Sequence, residues 1–191
     1  MSAPLMLRRH FLTSAAAAST TLAMPSIARA FEVDTKYLPQ EVRIKSGVEP
    51  GQILILPQAH YLYLVTGPNQ ARRYGVGVGK AGLEFKGDAV IQRKAKWPNW
   101  RPTAEMIARE PRTYSKFVDN DYIQPGGPSN PLGARALYLY KNGRDTYFRI
   151  HGTTQPRSIG RSVSNGCIRM INDHVKDLYE RVPTGTRVTV L

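Results

Sequence analysis

Asn142-Gly143 lies between two runs of strand-forming residues, 136–140 and 146–150, and constrains the backbone more tightly than any other short signal in the chain. Both residues accept the positive φ of a two-residue type I′ turn, whose twist matches the strands it joins. The pattern predicts an antiparallel hairpin with Thr146, Phe148 and Ile150 on one face. His151 comes just after the second strand, on a support that backbone pairing makes rigid.

Other segments read the same way. Residues 53–56 and 61–65 are short apolar and aromatic runs around a turn at 57–60, a second hairpin. From Tyr74 to Gly79, Tyr74, Val76 and Val78 alternate with Gly75, Gly77 and Gly79, which predicts one strand with a packed face and a bare face open to another backbone or a ligand. Residues 88–94 form a third or fourth strand and 186–191 a final one. Helical spacing and caps predict a short helix over 103–109, with Thr103 as a cap, and one over 173–182, stopped by Pro183. The outcome is a mainly β domain with one or two short covering helices. Residues 97–131 hold both tryptophans and six prolines, and part of this stretch is expected to form a flap over the site.

Sixteen positions after His151 comes Cys167, the one cysteine of the chain, in the run Ser-Asn-Gly-Cys-Ile-Arg. The residues between are mostly Gly, Ser, Thr, Pro and Arg, so the segment reads as a functional loop that folds back and brings thiol and imidazole together. Ahead of it, Arg8-Arg9 precedes a mild, alanine-rich apolar stretch over 14–24, and Ala28-Arg29-Ala30 offers a cleavage site. These features predict a twin-arginine-type signal over residues 1–30 and a periplasmic or envelope location. In an oxidising compartment a lone cysteine is inert and buried, paired with another molecule, or reactive. Ser164, Asn165, Gly166 and Arg169 make a poor setting for an apolar plug, which favours the reactive reading.

Removing the signal takes away three arginines and lowers the net charge from +13 to +10. Outside the membrane the anions available to such a surface are lipid head groups and wall carboxylates rather than nucleic acid, and a merely solvated basic surface is equally compatible with the charge. The mature part needs no second domain and shows no transmembrane span. No metal site is apparent, because the histidines lack ligand spacing; no cofactor is expected. His60, in a turn, and His174, in a first helical turn, read as solvated bystanders, and Trp97 and Trp100 as core or rim aromatics.

His151-Gly152-Thr153 followed by Ser164-Asn165-Gly166-Cys167-Ile168-Arg169-Met170 resembles the signature of the L,D-transpeptidase catalytic domain, the YkuD-type family with its ErfK and YbiS-like members. The likeness extends to Asn130-Pro131-Leu132-Gly133 and to Val182-Pro183-Thr184-Gly185-Thr186. It implies an L,D-transpeptidase-like β-sandwich over residues 51–191, preceded by an N-terminal extension at 31–50. One departure is Asn165, where the family often has histidine; it leaves His151 as the base.

The resemblance implies that the Cys167 thiolate attacks the diaminopimelate–D-alanine bond of a peptidoglycan tetrapeptide stem, releases D-alanine and passes the acyl group to an amine, which an envelope protein could supply. His151 would take the thiol's proton, or hold it as an imidazolium in an ion pair, and later protonate the leaving amine. Backbone N–H groups at Gly166 and Cys167 would form the oxyanion hole, and Gly152 would orient His151. Arg169 and Asn165 complete the expected substrate-binding set with Ser164, the last as a brace of the turn more than a participant in chemistry. Such enzymes are acylated by carbapenems, so a Cys167 adduct is expected. Two other readings stand beside this one: a cysteine-dependent L,D-carboxypeptidase or crosslink hydrolase, and a non-catalytic cationic wall-binding module.

Overall fold

The computed structural model describes residues 32–191; the expected export signal lies outside the described residues. In chain order the strands and α-helices are β1 (Gln40–Arg43), β2 (Ile53–Leu56), β3 (Tyr61–Gly67), β4 (Gln70–Gly75), β5 (Val78–Gly79), β6 (Gly87–Lys96), α1 (Ala104–Arg109), β7 (Arg135–Lys141), β8 (Arg144–His151), β9 (Ser162–Ser164), β10 (Ile168–Arg169), α2 (Asn172–Arg181) and β11 (Arg187–Val190). Nine strands form one sheet in the order β1-β4-β3-β2-β11-β6-β7-β8-β10, and β5 pairs with β9 separately. β10 runs parallel to β8, and β11 parallel to β2.

A flat sheet of nine strands spaced ~4.8 Å apart would hold its ends far apart. Here Ile53, Leu62 and Tyr74 from one end share a core cluster with Leu137, Ile150 and Ile168 from the other. The chain just past β4 also pairs with β10: Gly77 and Arg169 exchange both backbone hydrogen bonds, at 2.9 and 2.8 Å. The sheet therefore bends back on itself to make the sandwich. α2 lies on β7 and β8, with Val175 and Leu178 fully buried.

Asn142 and Gly143 take φ of 52° and 74°, and the hairpin they close is β7–β8. His151 is the last residue of β8 and not the residue after it. The single strand expected over residues 74–79 is divided, because Gly75 ends a strand of the main sheet whereas Val78 and Gly79 cross to β9. Its bare face is used for close backbone approach: a Cβ on Gly77 would meet the Ser158 carbonyl oxygen at 2.5 Å.

The extension contributes more than a leader, since β1 forms an edge strand on β4 and Tyr37 covers Gly75 and Gly160. Residues 88–94 belong to the sixth strand, not the third or fourth, once β1 and the divided strand are counted. Thr103 caps α1 by accepting from the Met106 N–H at 3.3 Å, as its side chain predicts. His174 is buried, which corrects the solvated reading: helical periodicity places it one turn before Leu178 on the covered face of α2. His60 is half-buried, with Nε2 3.1 Å from Ser162 Oγ. Among the described residues no helix is long and apolar enough to cross a membrane.

Candidate active site

The parallel pairing of β8 with β10 builds the site. Ile168 sits opposite Ile150 and Arg169 opposite His151, and the His151 carbonyl accepts from the Met170 N–H at 2.8 Å. Ile150 and Ile168 face the core. Because successive side chains alternate, Arg149, His151 and Arg169 share the opposite face. Cys167 immediately precedes β10, where the Arg149 backbone and the charges of Arg149 and Arg169 reach its thiol.

His151 is only 5 % exposed, and its Nδ1 lies 2.5 Å from the Gly152 carbonyl oxygen. An Nδ1–H donating there leaves Nε2 as the lone-pair nitrogen of the neutral ring. Burial pushes the imidazole down to about 4, against the pull of the Gly152 carbonyl, and the positive charges of Arg169 and Arg149 depress it further. Burial likewise pushes the Cys167 thiol up, with the Arg149 backbone and the Arg149 and Arg169 charges opposing it. Both shifts favour a neutral thiol and a neutral imidazole over a standing ion pair. The thiol faces the Tyr147 carbonyl, with Sγ 3.8 Å from the oxygen.

Cys167 is held by its neighbours' side chains. Ser164 is 2 % exposed; its hydroxyl donates to the Cys167 carbonyl at 2.6 Å and accepts from the Gly166 N–H at 3.1 Å. Those bonds engage the hydroxyl inside the turn, which Ser164 braces. They also engage the Gly166 N–H that was expected in the oxyanion hole. Gly166 has φ +118°, and a Cβ there would meet the Leu83 carbonyl oxygen and Phe148 Cε1, both at 2.5 Å.

Asn165 is also occupied. Its Oδ1 accepts from Arg109 Nη2 at 3.0 Å and its Nδ2 donates to Tyr114 Oη at 2.9 Å. Lys80 and Glu110 add an ion pair at 3.6 Å. The expected flap is thus a strap, residues 104–114, fastened to the turn before the cysteine. Arg169 is half-buried, and its Nη1 donates to Gln155 Oε1 at 2.9 Å. Gln155 forms part of the wall of an open depression of about 430 Å³, lined by residues 154–158, Arg161 and Val163.

Sequence reasoning missed Arg149, Asp145, Tyr147, Arg109 and Tyr114. The alternation of Arg149 with His151 was a usable signal. Tyr114 has none, because it meets Asn165 across 51 residues. Among the described residues no group of three or more His, Cys, Asp or Glu side chains is placed to hold a metal ion.

The fold and this seam define a class: β-sandwich proteins with a buried imidazole at the end of one strand and a thiol in the turn that leads into its parallel neighbour. The chain belongs to the L,D-transpeptidase catalytic domain (YkuD) family, whose model matches residues 50–190. The probable L,D-transpeptidase ErfK/SrfK of Salmonella typhimurium is 35% identical over 162 residues, which cover 82% of this chain and 49% of the relative. The putative L,D-transpeptidase YkuD of Bacillus subtilis is 31% identical over 166 residues, with coverage of 86% and 91%. This chain spans about half the length of several curated relatives it matches. A Brucella melitensis structure described as a probable carnitine operon oxidoreductase is 54% identical, with TM-score 0.56 and coverage of 83% and 96%. An L,D-transpeptidase from Mycobacterium smegmatis shares the fold at 17% identity, TM-score 0.54, covering 73% of this chain and 58% of that one.

Proposed function

We propose that this protein is a peptidoglycan L,D-transpeptidase that uses Cys167 as nucleophile and His151 as general base and acid. The observation that supports the reading is the β8–β10 pairing, which seats His151 opposite Arg169, two residues from Cys167, with burial favouring the neutral form of both imidazole and thiol.

Starting from the neutral pair, the thiol proton passes to Nε2 of His151 as sulfur attacks the carbonyl carbon between a diaminopimelate-type residue and D-alanine. The Cys167 N–H would stabilise the oxyanion, with Gly166 shaping the turn while its own N–H stays on Ser164. Collapse breaks the C–N bond, and the imidazolium gives its proton to the departing D-alanine amine. An amine from a second stem or an envelope protein then attacks the thioester, His151 takes its proton, and the thiol is restored. The hydrogen bond to Gly152 holds the imidazole's orientation throughout. Arg169 would meet a stem carboxylate, and Asn165 would act by holding the strap rather than by touching substrate.

The twin-arginine pattern of residues 1–30 supports delivery to the envelope, where the stem peptides are. The oxidoreductase description of the Brucella protein has little to rest on in this chain. Gly77-Val78-Gly79-Lys80-Ala81-Gly82 matches the glycine spacing of a dinucleotide fingerprint, but it leads into a turn and β6 and offers no helix N-terminus for a pyrophosphate.

The test is incubation of the protein with disaccharide tetrapeptide, with and without an amine acceptor, followed by mass spectrometry of the products. Released D-alanine with a crosslinked dimer is expected, together with a carbapenem adduct on Cys167. D-alanine with tripeptide alone would reassign the protein as a hydrolase. No turnover from folded, reduced protein would contradict the enzymatic reading.

A further inference from the structure

Tyr147 stands in a backbone conformation that nothing in the fold obliges a large side chain to adopt. Its φ is +61° inside β8, and the ladder to β7 shifts register across Tyr138 and Tyr140 to accommodate it. Such a φ costs an aromatic residue about 1 kcal/mol or more, and glycine would hold it freely. Burial does not offset that cost, because Tyr147 is 70 % exposed.

The bulge is nevertheless pinned from several sides. The Tyr147 N–H donates to Asp145 Oδ1 at 2.8 Å, and Arg149 holds both Asp145 oxygens at 2.7 and 2.9 Å. Thr146 Oγ1 donates to the Leu139 carbonyl at 2.5 Å and accepts from the Phe148 N–H at 3.2 Å. The result turns the Tyr147 carbonyl toward Cys167 Sγ and leaves an exposed ring on the residue whose backbone meets the thiol. The ring also ends a stacked row across the sheet: Arg93 and Arg149 each lie 4.4 Å from the Tyr138 ring centre, and Arg149 lies 5.9 Å from that of Tyr147.

We infer that Tyr147 is a substrate-contacting residue whose ring forms an apolar ledge for the methylene chain of the diamino-acid residue that the thiol acylates. This rests on the transpeptidase reading. The backbone supplies the thiol's carbonyl partner whatever the side chain is, so the two roles of Tyr147 separate by substitution.

Tyr147→Gly keeps the carbonyl and relieves the strain while removing the ring. It should raise KM for disaccharide tetrapeptide about 3- to 10-fold, with kcat and the pH profile of Cys167 alkylation by iodoacetamide close to those of the parent. Binding of the same muropeptide to Cys167→Ala protein should weaken by a similar factor when Tyr147→Gly is added. Tyr147→Phe should recover most of the affinity. Unchanged KM and binding in the glycine variant, with the parent active, would overturn the role of Tyr147 alone. A parent that neither binds the muropeptide nor releases D-alanine would overturn both the transpeptidase reading and this inference.

Discussion

His151 and Cys167 are held in place by different means. His151 ends a long hairpin strand, with backbone partners on both sides from Ala136 and Arg169. Cys167 lies outside any strand, in a turn fixed by the Ser164 hydroxyl and by an asparagine tied to a distant strap. A base anchored by a ladder tolerates change in any one side chain nearby. A nucleophile anchored by side chains depends on each of them, and the turn can be tuned by residues far away in sequence.

The sharpest way to break this contrast is Gly166→Ala. The added methyl meets a carbonyl oxygen and an aromatic carbon in a left-handed backbone. A loss of about 3 kcal/mol in stability, with D-alanine release falling by roughly 100-fold as a displacement of about 1 Å at the reacting atom would cause, is expected in denaturant titration and kinetics. Parent-like behaviour would mean that the turn is not tightly built.

The imidazole gives the next largest effect. The unfolded chain takes a proton on His151 near 6.5, and the folded protein only near 4. Stability should therefore be complete above pH 6.5 and decline as pH falls toward 4, by up to about 3 kcal/mol. His174, also held below its ordinary value by burial, contributes with the same sign. Urea midpoints at pH 4.5 and 7.5 should converge partly in His151→Gln, and an equal pH dependence in that variant would assign the effect elsewhere.

Ser164→Ala should cost about 1–3 kcal/mol, because it removes the partner of a buried N–H and a donor to the Cys167 carbonyl. Activity should fall with stability, whereas a substitution at exposed Arg144, at the start of β8, should change neither. The smallest effect is expected from Tyr114→Phe. Loss of one hydrogen bond at the strap costs about 1 kcal/mol or less, so the melting temperature should barely move while iodoacetamide reaches Cys167 a few-fold faster. An unchanged alkylation rate would detach the strap from the turn.

The same contrast explains what the sequence disclosed. Asn142-Gly143 dictates its hairpin through local turn chemistry, and the alternating glycines from Gly75 to Gly79 announce a face that another backbone approaches. The thiol and imidazole were legible because their residue types are rare and their motif is dense. β1 was not legible: only Val42 is better covered than its exposed neighbours, so an edge strand leaves little apolar alternation to detect. Residues 97–131 were opaque because long-range contacts organise them. Arg101 gathers the carbonyls of Phe117, Asn120 and Tyr122, and Trp100 packs on Tyr114 and Phe117. His174 was misread although its four-residue spacing to Leu178 pointed inward, since a polar side chain in a first helical turn suggests solvent.

The most direct measurement is intact-protein mass spectrometry of the reduced protein, quenched seconds after mixing with disaccharide tetrapeptide, with peptide mapping of the adduct. An acyl group equal to the donor minus D-alanine is expected on Cys167, formed slowly in His151→Gln and absent in Cys167→Ala. An adduct at another residue, or D-alanine release that survives in Cys167→Ala, would contradict it.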